Sequence, residues 1–277
     1  MNLSDKKQLI QYLKNHNFWA KKSMGQNFLV DGEVLAKIIE TADISLSDTI
    51  LEIGPGLGVL TEGLSEKAGN VIAVEKDDKL AEMLKSKFSV SNVKVLNQDA
   101  LEFDSSNLGK YKLVANIPYN ITSMVIQKFL ETKNKPNVMV LMVQKEVAER
   151  ITAEPGDMSL LSISVQFYAT AKIIDIVPKE SFFPLPKVDS AIIKIESKKQ
   201  KTGNKSVQAR DFFRMVKFGF AAKRKTLENN LAAGMCISKI EASDIIKRVG
   251  LSEKIRAEEL SIEDWERLYK IASTDVV

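Results

Sequence analysis

From residue 49 onward, short β-branched runs alternate with amphipathic stretches, and that rhythm constrains the architecture more than any other feature. TILEIG is strand-like, GVLTEGLSEKAG helical, NVIAVEK strand-like and DKLAEMLKSKF helical again. VKVLNQDAL, YKLVANIP and NVMVLMVQKE continue the strand type, with SMVIQKFLET helical before the last. Strands that alternate with helices make βαβ units, so a mostly parallel sheet covered by helices is expected. The unbroken apolar run VMVLMV fits a strand buried on both faces.

After QKEVAERI the rhythm changes. SISVQFYATAKIIDIV and VDSAIIKIE read as two long strands, an antiparallel hairpin at the end of the sheet. SKKQKTGNKS is polar and aperiodic, a linker. Beyond it, ARDFFRMVKFGFAAKRKTLENNLAAG, SKIEASDIIKRVG and SIEDWERLYKIAS read as amphipathic helices, and Ser261 with Asp264 has the spacing of a capping box. The division expected is an α/β domain over residues 1–196 and a small all-helical domain over 197–277.

Composition removes several kinds of chemistry. One cysteine excludes an internal disulfide, and with His16 as the single histidine a zinc site or a Ser-His or Cys-His catalytic pair is nearly excluded. No metal is expected. Cys236 reads as a small buried apolar residue. No run of eighteen apolar residues occurs, and MNLSDKKQLIQYLK has no signal-peptide core but reads as a short amphipathic helix, so no membrane is expected and the localisation expected is cytoplasmic.

Net charge is +4, unevenly spread. Residues 1–30 carry +4 and residues 197–230 carry +8, so the rest of the chain is net negative. Two basic segments on an otherwise acidic chain suggest contact with a polyanion. Arg210, Arg214 and Lys217 lie on one helical stripe, Lys223, Arg224 and Lys225 are consecutive, and Lys21 and Lys22 precede the motif GQNFL. All are candidates for RNA phosphate contact.

LEIGPGLGVLT sets Gly54, Gly56 and Gly58 between a strand and a helix, where side chains would block a ligand from the backbone. The spacing is GxGxG, and Val59 stands where the dinucleotide pattern continues. Glu75 ends the next strand, suited to the two hydroxyls of a ribose. Asp99 ends the third strand and can accept a hydrogen bond from an adenine amino group. Neither a Walker lysine nor a pyrophosphate loop is present, so S-adenosylmethionine fits this crevice better than NAD or ATP.

The fourth strand ends in Asn116-Ile117-Pro118-Tyr119. The Asn116 side-chain carbonyl beside a backbone carbonyl offers two acceptors to one amine. Pro118 fixes the backbone and removes an N–H, and Tyr119 supplies a face on which a base can stack. An exocyclic adenine nitrogen is a weak nucleophile because its lone pair is shared with the ring; gripping both N–H bonds favours a pyramidal nitrogen.

At this point the chain resembles a known family, the small-subunit ribosomal RNA adenine N6,N6-dimethyltransferases. KKSMGQNFLVD, LEIGPGLGVLTEGL, VEKD, NQDAL, NIPYNIT, QKEVAERI, FFPLPKVDSAIIKI, KRKTLENNL and RAEELS carry the resemblance over nearly the whole chain. It implies a class I methyltransferase, Rossmann-like sheet and S-adenosyl-L-methionine as cofactor. It also implies that Asn27, Leu29, Gly54, Gly56, Glu75, Asp99 and Asn116 surround the cofactor, and that Asn116, Pro118 and Tyr119 hold a target adenine with Phe182 on its other face. Two departures stand out: Phe183 where a smaller polar residue is usual, and Ala115 where many relatives have glycine. The expected partner is small-subunit rRNA in an immature 30S particle, with the enzyme acting as a monomer on two adjacent adenines. Methyltransferases that act on 23S rRNA in antibiotic resistance share the first half of the motifs, and an assembly factor that merely caps the particle would share the basic segments.

Overall fold

The computed structural model describes residues 3–16, 18–20, 25–198 and 208–275. Lys21, Lys22 and most of the expected linker lie outside the described residues. The chain divides into two compact units, residues 1–149 with 169–197, and residues 150–168 with 198–277. Residues 150–168 therefore cluster with the C-terminal helices and not with the α/β part, a correction to the division at 196/197.

In the first unit five strands run parallel: β2 (Thr49–Ile53), β3 (Asn70–Glu75), β4 (Val93–Asn97), β5 (Lys112–Asn116) and β6 (Val138–Gln144). With β7 (Ala169–Val177) and β9 (Ser190–Ser197) they form a seven-stranded sheet in the order β4-β3-β2-β5-β6-β9-β7. The last two strands are antiparallel to each other, as the hairpin reading required, but β9 inserts between β6 and β7 and the connection is no tight turn. It contains β8 (Phe182–Phe183), which pairs with β1 (Phe28–Leu29) in a separate two-stranded ribbon.

The core of this unit follows from the sequence pattern. Ile50, Val71, Val114, Val140, Met142 and Ile192 are fully buried in one cluster. Helix α2 (Gly32–Ala42) packs on β5, β6 and β9, and α3 (Val59–Ser65) and α4 (Asp78–Lys87) lie against β3. Asp31 caps α2 by accepting from the N–H groups of Glu33 and Val34, and Asp77 caps α4 through those of Lys79 and Leu80. The expected N-terminal helix is α1 (Lys6–Asn15), capped by Asp5. Because β2 has β3 on one side and β5 on the other, the strand order reverses there and opens a crevice beyond the carboxyl ends of the strands.

Helix α6 (Lys145–Ile151) carries the chain into the second unit, built from α7 (Leu160–Tyr168), α8 (Ala209–Gly219), α9 (Leu227–Met235), α10 (Lys239–Arg248) and α11 (Ile262–Asp275). Phe212, Val216, Leu231, Ile246, Trp265 and Leu268 form its fully buried centre. The Ser261–Asp264 capping box forms in both directions, at 3.0 and 3.1 Å.

Three local readings need correction. SISVQFY is helix α7, and strand begins only at Ala169. Serine bonding at its start, Ser159 N–H to Ser162 Oγ and Ser162 N–H to Ser159 Oγ, nucleates the turn and overrides the β-branched residues that follow. Lys223, Arg224 and Lys225 lie in a turn between α8 and α9, not on a helix. Cys236 is exposed and ends α9 in the left-handed conformation, φ 57°. Among the described residues no helix is long and apolar enough to cross a membrane.

Candidate active site

The glycine loop after β2 is shaped by backbone conformation. Gly54, Gly56 and Gly58 have φ of +66°, +59° and +76°, a region that side chains rarely tolerate. A Cβ on Gly54 would lie 3.2 Å from Pro118 Cδ, and one on Gly56 3.3 Å from the Phe28 ring. The loop is thus pressed between the turn that follows β5 and the segment that leads into α2. Together these walls enclose a cavity of about 390 Å³, a volume suited to a small-molecule ligand.

Glu75 holds the loop from below. Its carboxylate accepts from Gly56 N–H at 3.1 Å and from Asp77 N–H at 2.8 Å. Burial pushes its pKa up, the two backbone bonds pull it down, and Asp77 raises it again. Each oxygen keeps a lone pair for a ligand hydroxyl. Asp99 stands at the rim, with one oxygen on Leu101 N–H at 2.8 Å and the other on Lys76 Nζ at 2.7 Å. The Lys76 bond holds its pKa below the usual carboxylate range. Lys128 on α5 (Thr122–Glu131) donates to the carbonyls of Ala100 and Leu101, at 3.1 and 2.6 Å, and so ties this rim to the helix that follows Tyr119.

The turn after β5 is tightly specified. Asn116 Nδ2 donates to the Asn27 carbonyl at 3.3 Å, which orients Oδ1 as its acceptor end. Asn27 is itself tied by Nδ2 to the Gly25 carbonyl at 3.2 Å. The Pro118 carbonyl is taken by Ile121 N–H and the Thr122 hydroxyl, at 3.1 and 3.3 Å. Tyr119 is half-buried and its hydroxyl meets Ser190 Oγ at 2.7 Å. Burial raises the Tyr119 pKa, and the bond to Ser190 opposes that.

Of the residues expected from sequence, Asn27, Leu29, Gly54, Gly56, Glu75, Asp99, Asn116, Pro118 and Tyr119 all line this one cavity. Phe182 does not. Its side chain is fully buried in the core with Ile38, Val114 and Met142, so the stacking role expected of it is corrected. Phe183 is partly exposed and packs towards Phe28 and Leu57, away from Phe182.

Glu52 was missed. It is 1% exposed, lines the cavity, and its Oε2 has no partner among the described residues. Desolvation pushes its pKa up to about 8; the Thr61 hydroxyl favours the ionised form and Glu75 opposes it. No bond closes between Glu52 and Thr61, because Thr61 Oγ1 is also unpartnered. An orphaned buried oxygen facing a cavity suits a ligand that brings a positive charge or a donor. The signal was available: a lone carboxylate in the apolar strand TILEI, two residues before Gly54.

The basic residues of the second unit are presented by a separate device. Arg210, Arg214 and Lys217 are exposed on α8, opposite its buried Phe212, Met215 and Val216. Arg214 also pairs with Asp211 at 3.3 Å. In the turn below, buried Asn230 donates from Nδ2 to the carbonyls of Gly219 and Ala222, at 2.7 and 3.1 Å. That clamp leaves Lys223, Arg224 and Lys225 exposed, with Lys223 within 3.8 Å of Glu258.

The profile of the ribosomal RNA adenine dimethylase family matches residues 17–274. A ribosomal RNA small subunit methyltransferase A from Dehalococcoides mccartyi is 46% identical over 93% of this chain and 90% of its own length. One from Clostridioides difficile is 40% identical over 96% of this chain and 95% of its own. Among solved structures, a dimethyladenosine transferase from Plasmodium falciparum superposes with a TM-score of 0.75 at 29% identity, covering 87% of this chain and 95% of that one. The 23S rRNA methyltransferase ErmE gives 0.73 at 27%, covering 89% and 99%.

Proposed function

The chain belongs to the ribosomal RNA adenine dimethylase family, and we propose that its cavity methylates N6 of two adjacent adenines in small-subunit rRNA within an immature 30S particle. It is an S-adenosylmethionine-dependent rRNA adenine dimethyltransferase. We assign the work to a monomer in the cytoplasm that needs no metal.

The chain's residues fit the cofactor. Positive-φ glycines leave room for close approach at 54 and 56, Glu75 offers lone pairs to a diol, and Glu52 presents an unpartnered oxygen to a cationic ligand. When bound, S-adenosylmethionine supplies a methyl group already activated by its positive sulfur. The protein's remaining task is to position the amine and favour its reactive geometry. Asn116 Oδ1 accepts one amine hydrogen. With the Pro118 carbonyl committed to Ile121 and Thr122, the Ile117 carbonyl is the turn's acceptor for the other. Tyr119 stacks on the base, which must leave its helix to enter a pocket of this kind. The exposed cations of α8 and of the turn at 223–225 contact phosphates.

The observation that carries this reading is that Asn116, Pro118 and Tyr119 share one cavity with Gly54, Glu75 and Asp99. The test supplies labelled S-adenosylmethionine with unmethylated 30S or 50S particles and identifies the product by mass. Dimethyladenosine in 30S rRNA is the expected outcome. Label in 50S particles alone would favour a 23S rRNA substrate, the reading that the likeness to ErmE keeps in view. Normal subunit maturation with a catalytically dead variant would instead favour an assembly role.

A further inference from the structure

Tyr119 and Ser190 are joined across the sheet. Tyr119 follows β5, whereas Ser190 opens β9, with β6 between them. Ser190 is fully buried, and its position is fixed from three directions. It pairs with Gln144 of β6 and with Val177 of β7. The preceding residue, Asp189, accepts from Lys145 N–H at 3.0 Å through its carbonyl and from Lys179 N–H at 3.1 Å through its side chain. Tyr119 itself sits in a turn, on the cavity wall. The 2.7 Å bond therefore anchors a loop-borne ring to a buried sheet residue that is paired on both sides.

The chemistry of two successive transfers says when that anchor matters. An unmodified adenine amine has two hydrogens, one for each acceptor of the turn. Each transfer joins N6 to the methyl carbon as the carbon–sulfur bond breaks, its electrons staying on sulfur, and one amine proton passes to water. After the first transfer the amine has one hydrogen left, so one of the two acceptors loses its bond. The hold on the base then shifts from amine hydrogen bonds to stacking on Tyr119. Phe182 is buried in the core and gives no opposite face.

We propose that Ser190 is a positioning residue for the second methyl transfer: its hydroxyl pins the far end of Tyr119, so that the ring holds a base whose amine retains one hydrogen. This rests on the reading of the site as an adenine dimethyltransferase.

The test follows N6-methyladenosine and N6,N6-dimethyladenosine in unmethylated 30S particles over time, using the full chain. Ser190→Ala is expected to slow the second transfer about tenfold, the loss of one hydrogen bond's contribution, and the first much less. Monomethyladenosine should accumulate while S-adenosylmethionine affinity stays at the wild-type value. Tyr119→Phe removes the same bond from the other side and keeps the ring; it should give the same product ratio even if the serine variant folds poorly. The double variant should be no worse than either single. Equal slowing of both transfers in Tyr119→Phe, no slowing in either variant, or additive losses in the double variant would overturn the inference. Wild-type protein that leaves 30S particles unmodified would overturn the proposed function instead.

Discussion

Asn116 turns its amide nitrogen to the Asn27 carbonyl, 3.3 Å away, and so leaves its amide oxygen as the end that can accept. The orientation of this side chain is thus set by the segment that precedes α2, not by β5 that carries it. Asn116→Ala removes the acceptor from the reacting amine but leaves Glu75 and the glycine loop intact. Turnover should fall by roughly a hundredfold or more, the scale of losing one preorganised polar group. Cofactor affinity by titration calorimetry should change by less than about threefold. Normal turnover in that variant would remove Asn116 from the mechanism.

Glu52 makes stability fall as pH rises. Its pKa is pushed from 4.5 up to about 8 when folded. Between those values the folded protein keeps a proton that the unfolded chain has released, so stability is lost as pH rises through the window and levels off above it. Glu75 is shifted in the same direction and adds to the trend. Glu52→Gln should flatten its own share, on the order of 4 kcal/mol across the window. Urea unfolding midpoints at pH 5 and pH 8.5 would measure it; parallel pH profiles for both proteins would refute the assignment.

Gly54→Ala tests the contact between cofactor loop and catalytic turn. The residue needs φ +66°, and its new Cβ would press on Pro118 Cδ at 3.2 Å. The strain alone costs about 1–2 kcal/mol, visible as a lower melting temperature. Because the crowded atom belongs to the catalytic proline, turnover should fall further than cofactor affinity. Unchanged kcat at saturating cofactor would show that Pro118 accommodates the methyl.

The basic turn makes a salt prediction. Lys223, Arg224 and Lys225 are exposed, and Asn230 holds their turn open. Replacing all three with alanine should weaken RNA binding and reduce the slope of log affinity against log salt by about two. Cofactor affinity should not change. An unaltered slope would make these residues ordinary solvated charge.

The strand pattern and the residues at strand ends were legible because each element announced itself locally: β-branched runs, a glycine turn, an acid at a carboxyl edge. What escaped depended on contacts distant in sequence. SISVQFY has strand-like composition, and only the Ser159–Ser162 exchange shows it to be helical. Phe182 and Phe183 are neighbours in a strand, so they face opposite ways. Pairing of Leu29 with Phe182 turns that ring into the core, and no local feature indicates which of the two faces inward. No local feature marks Ser190, because its importance lies in a partner 71 positions earlier. Glu52 was readable, since a carboxylate inside an apolar strand needs a reason.

The strand order also governs when this domain can be finished during synthesis. Strand β7 touches the sheet only through β9, and β9 fills the gap between β6 and β7. Until residue 197 has emerged from the ribosome, the nascent chain exposes the apolar flank of β6 as an open edge, the type of surface that recruits stray strands. Chains cut short before that point should be substrates for chaperones and proteases, although every residue of the cavity has by then been made.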